Sequence, residues 1–267
     1  MQGADATATL TTPGGSDVTI SVSQIDVAND EAQDPRLFED DYDVASATGF
    51  RVWEASSLFV ALLRQPSVQA VFAGRSVLEL GSGTGFLAMA AASIGAHVLA
   101  TDTTRTVTVE SIRPNITRNC SPSHWHVISG FEVEAHRRLG AGSVAAAPLD
   151  WNADARLQLS AAGVSSTFMF DIIFAADCIW LLDVAAPFAD TLRSLIPAAC
   201  PTIALLCFQN RAHDKSTAFV KLDQVTLAPS FTLALRVLVR RPYRAPRSHT
   251  ARHSCCKCSP IAAFTSK

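Results

Sequence analysis

Apolar residues along this chain come in short blocks, punctuated by glycine, proline and small polar residues, and the blocks alternate between two textures. One texture is a run of four to nine nearly continuous apolar residues rich in Val, Ile, Leu and Phe. It occurs at Ser76–Leu80 (SVLEL), His97–Thr101 (HVLAT), Ser143–Leu149, Phe170–Ala175 (FDIIFA), Thr202–Phe208 (TIALLCF) and Phe231–Val239 (FTLALRVLV). Such runs predict strands buried on both faces. The other texture is helical. Trp53, Leu58, Phe59, Leu62 and Leu63 fall near helical spacing in a stretch limited by Pro66. Phe86–Ile94 is Ala-rich and stops at Gly95, a natural residue just past a helix end. Val107–Asn119 reads as a helix interrupted by Pro114. Val184–Ile196 and Asp214–Val225 complete the helical set. Strands alternating with helices predict an α/β fold: a Rossmann-like, doubly wound, mostly parallel sheet with helices on both faces.

The same pattern divides the chain. Residues 1–45 read as a leader, and residues 1–19, rich in Thr, Gly, Ala and Asp, as a flexible one. Residues 46–240 carry the alternation. Within them, 121–142 lack a clear period, contain Pro122, Gly130, Gly140 and Gly142, and read as an insertion. Residues 241–267 turn basic and rich in Pro and Cys, a composition expected to be disordered.

Composition narrows the function classes. Hydrophobic residues make up 48% of the chain and charged residues 17%, as expected of a packed globular protein. A formal net charge of −2 gives no reason to expect nucleic acid as a partner. No apolar run has the length of a membrane span, and the opening residues carry neither the basic nor the apolar region of a secretory signal. Cys120, Cys178, Cys200 and Cys207 are scattered among mainly apolar neighbours and read as free thiols of a reducing compartment, cytoplasmic or nuclear. Cys255, Cys256 and Cys258, beside His249 and His253, lack the paired spacing of a zinc site, so no metal is expected.

The chemistry concentrates after the first predicted strand. Glu79-Leu80-Gly81-Ser82-Gly83-Thr84-Gly85 ends that strand and opens a helix. Ligands of open α/β sheets sit at the carboxyl ends of strands, and glycines there let backbone N–H groups approach a ligand closely. Asp102, ending the next strand, is placed to accept hydrogen bonds from ribose hydroxyls. The turn is not the G-x-G-x-x-G of dinucleotide sites. Glu79 would repel a pyrophosphate, and it suits a ligand with a cationic amino-acid end, such as S-adenosylmethionine.

These residues carry a resemblance. LELGSGTGFLAMAAASIGAHVLATD is similar to the cofactor segment of seven-β-strand (class I) methyltransferases. TGFRVWEASSLFVALL, Leu149-Asp150-Trp151 and FDIIFAADCIW follow in the order found in methyltransferase family 16, dominated by protein-lysine methyltransferases. The resemblance implies S-adenosylmethionine as cofactor, held by Trp53, Glu79, Gly81, Ser82, Gly83, Thr84, Gly85, Asp102, Trp151 and the backbone of Ala176. It implies a protein substrate presenting a lysine. Asp177 and Trp180 stand at the fourth-strand end, where that family has Asp-x-x-Tyr or Asp-x-x-Phe, and are the catalytic candidates. Trp180 can attract an ammonium through its π face, and Asp177 can orient the amine. From spacing alone, Trp53 reads more readily as a core residue than as a ligand contact, and Asp177 has the alternative reading of a cap of the helix or loop that follows. The end of the chain does not resemble that family's final β-hairpin. A monomeric protein-lysine N-methyltransferase is the leading expectation. A small-molecule N-methyltransferase and an inactive methyltransferase-like interaction module stand as alternatives.

Overall fold

A computed structural model of the protein describes residues 5–24, 48–102, 107–122, 130–133, 136–179, 182–196, 201–209, 224–228 and 231–237. The chain opens with two strands, β1 (Asp5–Thr11) and β2 (Asp17–Ser23), paired antiparallel with Ala8 opposite Ile20 and Leu10 opposite Val18. The flexible leader expected over residues 1–19 is therefore corrected from Asp5 onward. Ala8, Leu10, Ile20 and Val22 alternate with Thr, Ser and Asp, so one face of the hairpin is apolar and buried.

Helices α1 (Glu54–Leu63) and α2 (Pro66–Phe72) lead into the main sheet. Its strands are β3 (Ser76–Leu80), β4 (His97–Asp102), β5 (Ser121–Pro122), β6 (Arg137–Leu139), β7 (Gly142–Pro148), β8 (Ile172–Ala176), β9 (Ile203–Gln209), β10 (Gln224–Ala228) and β11 (Phe231–Val237). They lie in the order β10-β11-β9-β8-β3-β4-β7-β6-β5. β9, β8, β3, β4 and β7 are parallel neighbours. β11 runs against both β9 and β10, and β6 against both β7 and β5, so these two strands alone are reversed among the described ones. The doubly wound, mostly parallel sheet is thus as expected. The chain goes from β3 outward to one edge, then returns to β8 beside β3. This puts the topological switch point, where such folds open a crevice, at the ends of β3 and β8.

Alternate residues of each central strand feed two cores. Val77, Ile172 and Phe174 face α1, α2 and α3 (Phe86–Ser93). Leu78, Leu80, Ile173 and Ala175 face α5 (Ala155–Ala161) and α6 (Leu182–Leu195), where Leu159, Phe188 and Leu192 pack. Every residue of α3 is buried, because the sheet covers one side and the β1–β2 hairpin with α1 covers the other.

The helix expected over Val107–Asn119 forms in two parts. Val107–Ile112 is a π-helical segment, and α4 (Arg113–Asn119) continues from it. Pro114 sits in the first turn of α4, where its missing N–H costs least. Asn115 and Asn119, one helical turn apart, both reach the free edge of β2. The Ser21 N–H donates to Asn119 Oδ1 (2.8 Å), and Asn119 Nδ2 donates to the Ser21 carbonyl (2.7 Å). Asn115 makes the same pair with Ser23, at 3.0 and 3.4 Å. Two side-chain amides thus stand where a neighbouring strand would.

The described parts of 121–142, expected as an insertion, pack into the fold: β5 and β6 extend the sheet, and Phe131 and Val133 are buried in the second core. Phe131 also bridges to Val164 and stacks on Phe168 at 5.5 Å. Most of the helix expected over Asp214–Val225 lies outside the described residues, but Gln224 and Val225 belong to β10. β10 and β11 pair antiparallel, so a final pair of strands is present although the sequence near the end did not resemble one. The tail over 241–267, with Cys255, Cys256 and Cys258, lies outside the described residues.

Candidate functional site

The carboxyl ends of β3, β4, β7 and β8 bring most of the predicted site residues together. Beyond β3, Gly81, Gly83 and Gly85 take positive φ of 69°, 55° and 75°. Each also lacks room for a side chain. A Cβ on Gly81 would lie 2.6 Å from that of Cys178 and 3.5 Å from the Trp151 ring. One on Gly83 would lie 3.1 Å from the carbonyl oxygen of Gly49, and one on Gly85 3.1 Å from Ile112 Cγ2. Gly85 is the N-cap of α3, whose first N–H groups point back toward the loop. The Ser82 N–H donates to the Thr101 carbonyl (2.8 Å), and Asn115 Nδ2 to that of Thr84 (3.0 Å).

Asp102, at the end of β4, accepts a hydrogen bond from the Gly83 N–H (2.9 Å) and so fixes the loop's middle glycine. Glu79 is 2% exposed, and its Oε2 lacks a hydrogen-bond partner among the described residues, as does Ser82 Oγ. Burial pushes the Glu79 carboxyl up to about 8, and the Asp102 charge adds to this. The Ala88 backbone amide pulls the other way.

Trp151 follows β7. Its ring is buried, meets Phe188 edge-on at 5.1 Å, and leaves Nε1 without a partner among the described residues. Asp150 beside it forms an Asx turn, accepting from the Asn152 N–H (2.8 Å). A groove of about 600 Å³ between α5 and α6, lined by Asn152, Asp154, Arg156, Pro187 and Asp190, meets the predicted site only at Trp151.

Trp53 is the N-cap of α1 and is half-buried, not a core residue. Its Nε1 donates to the Thr48 carbonyl (3.0 Å), and the Arg51 guanidinium lies 4.7 Å from its ring centre. The Gly49 and Arg51 carbonyls pass over Gly83, so residues 49–53 cross the glycine loop. Val52 N–H is held by Gln24 Oε1 (2.9 Å).

β8 ends at Ala176, which is buried, and Asp177 follows. Asp177 caps a helix that precedes it in the chain: the Ala55 N–H of α1 donates to Asp177 Oδ2 (3.2 Å). The Cys178 thiol is pushed up by burial, with the Asp102 charge adding to it, which keeps it unreactive. Trp180 lies outside the described residues. Asn115, Gln24 and Thr48 support the site, and sequence reasoning missed them. Asn115 and Gln24 act on backbone atoms 31 and 28 residues away, and Thr48 acts through its own backbone carbonyl, so no side-chain pattern signals them.

Residues 32–225 match the model of a family described as lysine methyltransferase. The chain belongs to the lysine methyltransferase family.

Lysine methyltransferase relatives have low identity to it. Mouse protein-lysine N-methyltransferase EEF2KMT is 29% identical over 189 residues, covering 68% of this chain and 45% of the relative. Mouse protein-lysine methyltransferase METTL21E is 23% identical over 205 residues, covering 74% and 73%. The chain thus spans less than half of the length of the first of these. Among solved structures, the Thermus thermophilus 16S rRNA N2 G1207 methyltransferase, in complex with AdoMet and guanosine, is 18% identical. The match covers 86% of this chain and 49% of that one, with a TM-score of 0.44. The family's cofactor is S-adenosylmethionine, and the residues present fit it: a side-chain-free glycine cradle and, unpartnered among the described residues, a buried carboxyl oxygen for a cationic end and a buried indole N–H.

Proposed function

We propose that this chain is an S-adenosylmethionine-dependent methyltransferase whose acceptor is a lysine side chain of a protein. The observation that carries the reading is the buried Glu79 carboxylate, with Oε2 unpartnered among the described residues, behind the glycine loop. Ionised and unpartnered in a buried site, such a group is costly, and a cationic ligand group facing it offsets that cost. In this reading Glu79 faces the ammonium of the amino-acid end. The loop Gly81, Ser82, Gly83, Thr84 and Gly85 lines that end. Asp102 takes the ribose, Trp151 the adenine, Trp53 closes over the cofactor, and Ala176 contributes its backbone.

Bound cofactor supplies a methyl group already activated for displacement. The protein's task is alignment and delivery of a neutral amine. A free lysine, with pKa ≈ 10.4, is charged at pH 7, and neutralising it costs roughly 4–5 kcal/mol. A desolvated channel lowers that cost. We place the channel at the end of β8, beside Asp177, with the Trp180 ring against the lysine stem. Lysine specificity is supported by the family and by relatives named as protein-lysine methyltransferases.

Among the described residues no helix is long and apolar enough to cross a membrane. The described thiols Cys120, Cys178 and Cys207 are free, which supports a cytoplasmic or nuclear site of action. The charge balance supports a protein rather than a nucleic-acid acceptor, and we propose a monomer. The test is transfer of radiolabelled methyl groups into cell extract, followed by mass spectrometry. Label on protein lysine is expected. Label confined to small metabolites overturns the protein acceptor, and cofactor binding with no label in any fraction makes the chain a non-catalytic module.

A further inference from the structure

Asp177 is the non-glycine residue with a positive φ (51°) among those described. An L-residue held there carries strain of about 1 kcal/mol or more unless the surroundings require it, although Asp tolerates the conformation better than most. Its backbone and its side chain are tied to different elements. The N–H donates to the Cys207 carbonyl of β9 (2.9 Å), while Oδ2 accepts from Ala55 N–H of α1. Ala55 is the second residue of α1, in the first turn where N–H groups have no partner within the helix. The local N-cap, Trp53, makes no side-chain cap hydrogen bond. Asp177 caps α1 in its place, from 122 residues along the chain.

What precedes that cap is the segment over the glycine loop. Gly49 and Arg51 carbonyls lie against Gly83, the Thr48 carbonyl holds the Trp53 indole, and Gln24 holds Val52. The segment's far end is α1 itself, so its placement depends on where α1 begins. We propose that Asp177 is a positioning residue for the cofactor site: its carboxylate pins the start of α1 and thereby holds Trp53 and residues 49–53 across the glycine loop. It acts on the cofactor through Trp53. The inference rests on the reading of the glycine loop as the cofactor site.

Two substitutions separate this role from direct contact with the acceptor. Asp177→Gly removes the carboxylate and relaxes the positive φ, so the turn survives. Asp177→Asn keeps an amide oxygen that can accept from Ala55 and suits the same backbone. In protein without cofactor, Ala55 amide exchange should quicken by about tenfold or more in the glycine variant, the scale of one lost charge-assisted hydrogen bond, and return near wild type in the asparagine variant. By calorimetry, S-adenosylhomocysteine should bind the glycine variant about tenfold more weakly, and the asparagine variant within about fivefold of wild type. Unchanged affinity in the glycine variant overturns the proposal. So does an asparagine variant as weak as the glycine one, which would show that charge rather than capping is needed. Should wild type bind no S-adenosylhomocysteine, the cofactor reading falls by itself. The exchange rates then decide the cap, and equal Ala55 rates in wild type and the glycine variant overturn it.

Discussion

At the scale of the residue, Glu79 is where folding and binding oppose each other. Its carboxyl has an ordinary value of 4.5 and is pushed up to about 8 by burial. Between those values the folded protein holds a proton that the unfolded chain does not. Stability of the cofactor-free protein is therefore complete below about 4.5 and falls as pH rises through about 8. Glu79→Gln should flatten that fall in denaturation curves taken across the range. Facing an ammonium, Glu79 is charged, so binding should release its proton. Affinity for S-adenosylhomocysteine should then rise with pH, by up to about tenfold per unit below pH 8. The Gln variant should show neither the rise nor proton release in calorimetry. A wild-type affinity independent of pH would remove Glu79 from the ligand. Glu79, the glycines and Asp102 were legible in the sequence because their chemistry is local: an apolar strand, a tight turn and a carboxylate at each strand end. The partner of Asp177 was not, because no spacing rule links a residue to an N–H 122 positions away.

At the scale of the element, the hairpin shows how composition can mislead where periodicity does not. Residues 5–11 read Asp-Ala-Thr-Ala-Thr-Leu-Thr and 17–23 read Asp-Val-Thr-Ile-Ser-Val-Ser. The strict alternation is that of a half-buried strand. Thr, Ser and Asp suggested a flexible leader, yet they are only the solvent side of the pleat. Its stability depends on the two asparagines of α4. Asn119→Ala removes the partners of the Ser21 N–H and carbonyl, which should cost roughly 1–3 kcal/mol. Chemical denaturation measures the loss, and limited proteolysis should cut first near the Pro13–Ser16 turn. A variant as stable and as resistant as wild type would show that the amide pairs contribute nothing. Pro114 was read correctly as an interruption. That the chain answers it with a π-helical turn rather than a break follows from packing: Ser111 and Ile112, before the proline, and Asn115 and Ile116, after it, are all buried.

At the scale of the whole molecule, the sheet was legible because its central strands are covered on both faces and so are written as continuous apolar runs. The edges were not. β5 and β6 are very short, and β10 was read as the end of a helix, since edge strands answer to fewer neighbours. The residues proposed to hold the cofactor lie between Trp53 and Ala176, on the parallel strands and the segment before α1. Truncation after Arg240 should therefore leave the affinity for S-adenosylhomocysteine unchanged. Calorimetry on the shortened chain checks this, and a loss of binding would bring the tail into the site. Metal analysis of the same pair tests the Cys255, Cys256 and Cys258 cluster, where zinc lost on truncation would count against a metal-free tail.

The amide pairs between α4 and β2 also set a clock. Ser21 and Asn119 are 98 residues apart, and Ser23 and Asn115 are 92. A ribosome adding about 5–20 residues per second exposes the hairpin some 5–20 s before the helix that completes its edge. Throughout that interval the hairpin has an open strand edge, a feature that invites pairing with another chain. The rows of Thr, Ser and Asp on its polar face keep such a segment hydrated while it waits. Crowding of translating ribosomes is thus a condition under which that open edge is exposed to misassembly.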